Sequence, residues 1–248
     1  MAGVLKDRVA VVTGGSRGIG RGIVERLARD GASVVFGYRR DDAAARDVER
    51  VVAEAGGEAR GVRSDLADPD GVERLFAAAG EHLDGLDILV NNAAADMYRR
   101  QLAEVTDDDY ERVFAVNTRA VFQALRHAAR VMRDNGRIVN LSTVNTVMQP
   151  GGGSLYCGSK GAVEQFTAVA ARELGPRGIT VNAVSPGATD TDLLRANNPP
   201  EVLEQFVTRT PLGRLGLPSD IADIVAFLVS PDARWLTGQV LFATGGIR

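Results

Sequence analysis

The sequence predicts one α/β domain over residues 1–248: a doubly wound, seven-stranded parallel sheet with helices on both faces. Three observations carry this reading. Short β-branched runs alternate with segments of helical period along the whole chain, and such alternation implies right-handed crossovers between parallel strands. A glycine-rich turn follows the first of these runs directly. No linker, repeat or low-complexity stretch divides the 248 residues, of which 45% are apolar and 25% charged, the balance of an ordinary globular domain.

The elements follow in order. Residues 8–13 (R-V-A-V-V-T) form the first buried strand. The next segment places Ile19, Ile23, Val24, Leu27 and Ala28 at helical spacing and stops at Gly31. Residues 33–36 are the second strand. A charged helix over 41–55 ends at Gly56-Gly57, and a third strand covers 59–63. Pro69 opens a helix to residue 83, and residues 87–90 are the fourth strand. One long helix is expected over 107–133, stopped by Asn135-Gly136. Strand five is 137–141. A helix then runs to residue 174, where Gly175-Pro176 ends it, and strand six is 179–184. Residues 189–210 read as an irregular or helical insertion, interrupted by Asn197-Asn198-Pro199-Pro200. A helix over 220–229 and a strand over 239–242 close the chain.

Composition excludes several functions. A formal net charge of −3 argues against general nucleic-acid binding, which needs a basic face. The single cysteine, Cys157, rules out an intramolecular disulfide framework. With two histidines far apart, a Cys/His metal site is not expected. There is no signal-like apolar core at the N-terminus and no apolar run near the roughly 20 residues of a membrane span. The expectation is a soluble cytoplasmic protein.

The glycine turn reads Gly14-x-x-x-Gly18-x-Gly20 between a strand and a helix. In that context glycines allow close backbone approach, and the helix N-terminus attracts a pyrophosphate. The end of strand two names the nucleotide. An acid there would accept from a ribose 2′-hydroxyl, but the chain has Gly37-Tyr38-Arg39-Arg40. With Arg17 inside the turn and Arg39 opposite, two guanidiniums suit a 2′-phosphate, so NADP is the expected cofactor. The alternative is that Arg39 and Arg40 only solvate a helix start and that Asp41 or Asp42 is the acceptor.

The chemistry points to Tyr156 and Lys160. Four residues apart at the start of a helix, they share one face. A lysine ammonium favours the phenolate, lowers the tyrosine pKa from about 10, and makes it a usable proton donor or acceptor near neutrality. Lys160 is one of only two lysines in the chain; all other strongly basic residues are arginine. A compact ammonium is not interchangeable with a guanidinium.

Together these motifs resemble the short-chain dehydrogenase/reductase family over essentially the whole length, most closely its 3-oxoacyl-(acyl-carrier-protein) reductase branch. The run from Thr13 through Gly14, Ser16, Arg17, Gly18, Ile19 and Gly20 is similar to the family's cofactor turn. Asp65-Leu66 resembles its adenine-contact pair, and Asn91-Asn92-Ala93-Ala94 its Asn-Asn-Ala-Gly segment, with Ala94 in place of the usual glycine. The resemblance implies a single-domain Rossmann fold. It makes Tyr156 and Lys160 the catalytic pair, with Lys160 also on the nicotinamide ribose. It makes Asn117 the anchor of a proton relay, and Pro186, Gly187, Thr189 and Thr191 the nicotinamide-holding segment. Pro211-Leu212-Gly213-Arg214 and Thr244-Gly245-Gly246 match its C-terminal signature. It further implies a homotetramer or homodimer built partly on the helices that start near Asp107 and Tyr156.

The family's catalytic serine stands thirteen residues before the tyrosine, which falls on Thr143 here; the alternative is that neighbouring Ser142 faces the substrate. The expected activity is NADP(H)-dependent hydride transfer to a carbonyl or from a secondary alcohol, with no metal. A 3-oxoacyl thioester, possibly bound to a carrier protein, is the expected substrate. Arg130, Arg133 and Arg177 could form the landing patch, although Asp134 sits among them. Free small ketones, quinones or sugars are the alternative substrates, and a non-catalytic NADP-binding regulator is the alternative of another class. Residues 96–98, 145–155 and 189–210 are expected to line the substrate pocket.

Overall fold

A computed structural model of the chain describes residues 3–82, 84–95 and 100–248. The strands are β1 (Val9–Val12), β2 (Ser33–Tyr38), β3 (Glu58–Arg63), β4 (Ile88–Asn91), β5 (Arg137–Leu141), β6 (Thr180–Pro186) and β7 (Val240–Ala243). All pair in parallel, in the order β3-β2-β1-β4-β5-β6-β7. The order reverses between β1 and β4, and the crevice beyond the carboxyl ends of those strands is where such sheets bind ligands.

Because side chains alternate along a strand, the sheet builds two cores. Ala10, Val12, Val34, Phe36, Val90, Val139 and Val184 face one side with α1 (Gly18–Arg29), α2 (Asp42–Glu54) and α10 (Pro218–Val229). Val11, Val35, Leu89, Ile138 and Val181 face the other, covered by α3 (Gly71–His82), α5 (Ala120–Val131) and α7 (Ser154–Leu174).

The structure corrects the expected elements in three places and details a fourth, the 189–210 insertion. The helix expected over 107–133 is broken into α4 (Asp107–Phe114), a π-helical turn (Ala115–Arg119) and α5. The Asn117 amide and the Thr118 hydroxyl of that turn bond to α7, which favours the wider winding. The 189–210 insertion holds two helices, α8 (Asp192–Ala196) and α9 (Pro200–Arg209), separated at Asn197–Pro199. A short α6 (Asn145–Met148) was not anticipated. Asp87, expected to open the fourth strand, instead precedes β4; its buried carboxylate accepts from Val9 N–H at 2.9 Å and pairs with Arg8 at 2.9 Å. The expected pocket residues 96–98, and residue 83 at the end of the expected third helix, lie outside the described residues.

Candidate active site

The crevice between β1 and β4 is clamped by side chains. Thr13 Oγ1 accepts from the backbone N–H of Asn92 (2.9 Å) and Ala93 (3.0 Å). The Asn92 amide donates to the carbonyls of Thr13 and Gly14, both at 3.0 Å. Close approach requires the glycines: a Cβ on Gly20 would stand 2.1 Å from the Gly14 carbonyl oxygen. Gly18 has φ +54°, and a Cβ there would meet the Thr191 methyl at 3.2 Å. Thr191 thus faces the glycine turn across the crevice while capping α8 through Leu194 N–H. The N-terminus of α1 has no side-chain cap at Arg17 and no acid in its first turn. Its N–H groups, with Ser16 and Ile19 beside them, are available to an anion. These features fit a pyrophosphate.

The end of β2 is where the 2′-phosphate is expected. β2 ends at half-buried Tyr38, followed by exposed Arg39 and Arg40. Both acids that could have served a 2′-hydroxyl are engaged. Asp41 caps α2 through Ala44 N–H at 2.9 Å and pairs with Arg17 at 3.0 Å. Asp42 bonds Tyr38, helping burial raise that phenol's pKa, and lies 3.8 Å from Arg63. Asp65 follows β3 and accepts from Ala67 N–H, with Leu66 buried in the core beneath it. At the far end of the crevice, β6 ends at Pro186, whose carbonyl accepts from Val144 N–H at 2.9 Å. Gly187 N–H bonds Ala243, and Thr189 Oγ1 donates to the Gly187 carbonyl. Ala94 stands exposed just past β4.

Tyr156 and Lys160 sit in the first turns of α7, a rise of about 6 Å apart along the axis. Tyr156 is half-buried; Lys160 is 2% exposed. The Lys160 ammonium donates to the Leu141 carbonyl at 2.7 Å, at the end of β5. Desolvation pulls its pKa from 10.5 to about 8. Asn117, fully buried in the π turn, bridges two elements: its oxygen accepts from Ala95 N–H at 2.7 Å, and its nitrogen donates to Ser159 Oγ at 3.1 Å. Ser159 in turn donates to the Tyr156 carbonyl at 2.8 Å. Sequence reading overlooked Ser159 and the clamp made by Thr13; the only available signals were their positions next to Lys160 and Gly14.

The two candidate hydroxyls separate. Ser142 donates to Glu164 on α7 at 2.6 Å. Thr143 Oγ1 accepts from Asn145 N–H at 3.3 Å, which leaves its proton for another acceptor. Alternation at a strand end puts Thr143 on the side away from Glu164. Cys157 is half-buried, its thiol pushed up by burial and turned to the Asn145 carbonyl.

Two of the three arginines expected to receive a carrier protein form ion pairs. Arg133 bonds the Asp84 carbonyl at 2.6 Å and pairs with Asp84 and Asp87. Arg177 pairs with Asp134 at 2.9 Å and caps the end of α5 through the Ala129 and Met132 carbonyls. Both lie where β4, β5 and β6 begin. Five-residue β5 spans about 17 Å from that edge to Leu141, the residue that Lys160 bonds. Arg130 lies on the same last turn of α5. Among the described residues no helix is long and apolar enough to cross a membrane, and no group of three or more His, Cys, Asp or Glu could hold a metal ion.

A family model described as enoyl-(acyl carrier protein) reductase matches residues 14–248. The hydroxynaphthalene reductase-like protein Arp2 of Metarhizium majus is 42% identical over 255 residues, covering 98% of this chain and 95% of its own. Among solved structures, the angucycline C-6 ketoreductase LanV with bound NADP superposes with a TM-score of 0.94 at 41% identity, covering 100% of this chain and 98% of its own. A short chain dehydrogenase from Burkholderia cenocepacia in complex with NADP superposes with a TM-score of 0.92 at 40% identity, covering 98% of both chains.

Proposed function

Starting from the fact that this chain belongs to the short-chain dehydrogenase/reductase family, we propose that it is an NADPH-dependent ketoreductase acting on the carbonyl of a free, ring-borne ketone. The observation that carries this reading is buried Lys160, set one turn beyond Tyr156 at the crevice. Bound in the crevice, NADPH supplies the hydride. Tyr156 donates the proton to the carbonyl oxygen, and the Lys160 ammonium holds that phenol near the acidity the transfer needs. Thr143 donates a hydrogen bond to the same oxygen. Asn117 holds α7 against the start of the loop after β4, so that Tyr156 and the crevice keep their register. Gly14, Ser16, Gly18, Ile19 and Gly20 hold the pyrophosphate side, Arg17, Tyr38 and Arg39 the 2′-phosphate, and Asp65 and Leu66 the adenine. Asn92, Ala93, Ala94, Pro186, Gly187, Thr189 and Thr191 hold the nicotinamide half.

A ring ketone is favoured over a carrier-bound 3-oxoacyl thioester for two reasons. Arg133 and Arg177 are already paired at the opposite edge of the sheet. The segments flanking the crevice expose apolar side chains, Val147 and Met148 on α6 and Leu193 on α8. The hydroxynaphthalene and angucycline names of the relatives agree with such a substrate. The deciding experiment is NADPH oxidation against hydroxynaphthalenes and polycyclic ketones, small ketones, quinones and 3-oxoacyl thioesters. The best kcat/KM is expected with the fused rings. Best turnover of the thioesters would overturn the substrate class, and NADPH binding without turnover on any carbonyl would point to a regulator. We further propose a homotetramer or homodimer using the face of α4, α5 and α7, where Tyr110, Phe122 and Val169 are exposed; sedimentation velocity reads this directly.

Two predictions arise here. Arg39→Asp is expected to lower kcat/KM for NADPH about 10- to 100-fold, the worth of one or two charge-assisted hydrogen bonds, while sparing NADH. Equal use of both cofactors by the wild type would contradict the assignment. Thr143→Val is expected to lower kcat about 10²–10³-fold, as for a lost oxyanion donor, and Thr143→Ser to stay active. Collapse of Ser142→Ala beside a normal Thr143→Val would assign the role to the other hydroxyl.

A further inference from the structure

We propose that Glu164 is a positioning residue for this reduction, fixing Thr143 relative to Tyr156 without touching substrate or cofactor. The inference rests on the reading of Thr143 as the hydroxyl that meets the substrate. One carboxylate oxygen of Glu164 accepts from Ser142 Oγ at 2.6 Å and from Thr146 Oγ1 at 2.9 Å. These residues bracket Thr143. The first distance is that of a charge-assisted O–H···O⁻ bond, among the stronger hydrogen bonds in proteins. The Thr146 hydroxyl also lies 3.0 Å from the Thr143 carbonyl, so its single proton is shared between the carboxylate and the residue being placed.

A third tie joins the same elements: the Cys157 thiol donates to the Asn145 carbonyl at 3.2 Å. α7 therefore grips the turn after β5 at residues 142, 145 and 146, leaving Thr143 on the opposite side. The same helix carries Tyr156, about 12 Å up its axis from Glu164. One rigid element thus holds the proton donor and, through Glu164, the turn that presents the second hydroxyl. Neither the glycine turn nor the Tyr156–Lys160 pair needs a carboxylate at this place.

The fold has room to lose Glu164. Ser185 on β6 is fully buried, and its hydroxyl has no partner among the described residues. The β5–β6 register, Leu141 opposite Val184, sets Ser142 beside Ser185 on the α7 side. Without the carboxylate these two hydroxyls can bond each other, satisfying both and relaxing the turn.

The test is a double-mutant cycle on ketone reduction, read with NADPH Kd and Tm. Glu164→Ala is expected to lower kcat/KM about 10- to 100-fold, the effect of a misplacement on the order of 1 Å, with the NADPH Kd unchanged. Glu164→Gln, whose amide oxygen can still accept, is expected within about fivefold of wild type. In a Thr143→Val background, Glu164→Ala is expected to cost nothing further, because the group it positions is gone. An equal loss in both backgrounds, or wild-type activity in Glu164→Ala, overturns the proposal. If Thr143→Val alone keeps normal activity, the underlying assignment of Thr143 has failed, and the positioning role with it. Should Glu164→Ala not fold, the pair Ser142→Ala/Thr146→Val removes the same two bonds from the other side and carries the same expectations.

Discussion

Tyr156→Phe is expected to lower kcat for ketone reduction by about 10²–10⁴, the range of a lost general acid, while leaving the NADPH Kd within about twofold. The separation follows from where the residue sits. The ring is half-buried in the first turn of α7, and Phe fills the same space. The backbone carbonyl of residue 156 still accepts from Ser159, so the chain from α7 to Asn117 and Ala95 is untouched. The glycine turn and the α1 N-terminus are on other elements. The phenol hydroxyl is removed, and the transferable proton with it. Single-turnover mixing with NADPH measures the chemical step, and fluorescence titration measures cofactor binding. A variant retaining more than about a tenth of wild-type kcat would show that another group protonates the carbonyl.

Lys160→Met is expected to lower kcat/KM about 10²–10³-fold, as for loss of a preorganised electrostatic donor, with a Tm unchanged or raised. The opposite directions have one cause. The ammonium is enclosed, and lowering its pKa from 10.5 to about 8 corresponds to roughly 3 kcal/mol against the charged form. A methionine of similar length does not carry that penalty. It forfeits the bond to the Leu141 carbonyl, which costs about 1–3 kcal/mol and nearly offsets the gain.

The pH dependence of stability separates these contributions. Below about pH 8 the lysine is charged both folded and unfolded, and the full burial penalty applies. Between about 8 and its unfolded value near 10.4 the unfolded chain holds the proton and the folded chain does not, so this residue's contribution to stability rises with pH. Urea unfolding without cofactor is expected to show wild type gaining about 2 kcal/mol relative to Lys160→Met between pH 7.5 and 9.5. No differential gain would mean that the buried ammonium is solvated after all. For ketone reduction, kcat/KM of the wild type is expected to fall as pH rises through about 8, where the ammonium is lost.

Much of this molecule is legible without coordinates because its signals are local. β1, β4 and β5 are buried on both faces, and such strands read as short β-branched or aliphatic runs. Ile23, Val24 and Leu27 repeat at helical period because α1 buries one stripe. Tyr156 and Lys160 announce themselves because four residues of helix place them on one side whatever surrounds them. The break at Asn117 is not legible: a π turn adds one residue to a winding, too little to disturb the apolar pattern of 107–133, and its cause lies on α7. The surroundings of the arginines are hidden for a related reason. Sequence shows that Arg133 and Arg177 are charged but not that Asp84, Asp87 and Asp134 reach them, nor that they sit at the edge of the sheet away from Tyr156.

What the sequence determined by itself is therefore the order of elements, the parallel sheet, the glycine turn before α1 and the helical pairing of Tyr156 with Lys160, all consequences of backbone periodicity within one or two elements. Tertiary structure alone decided which side of the β5 turn each hydroxyl takes, how deeply the Lys160 ammonium is removed from water, and that Glu164 grips Ser142 and Thr146. Those depend on contacts between α7 and β5, about twenty residues apart in the chain. Desolvation and hydrogen-bond geometry at such a contact are set by packing, which no local pattern encodes.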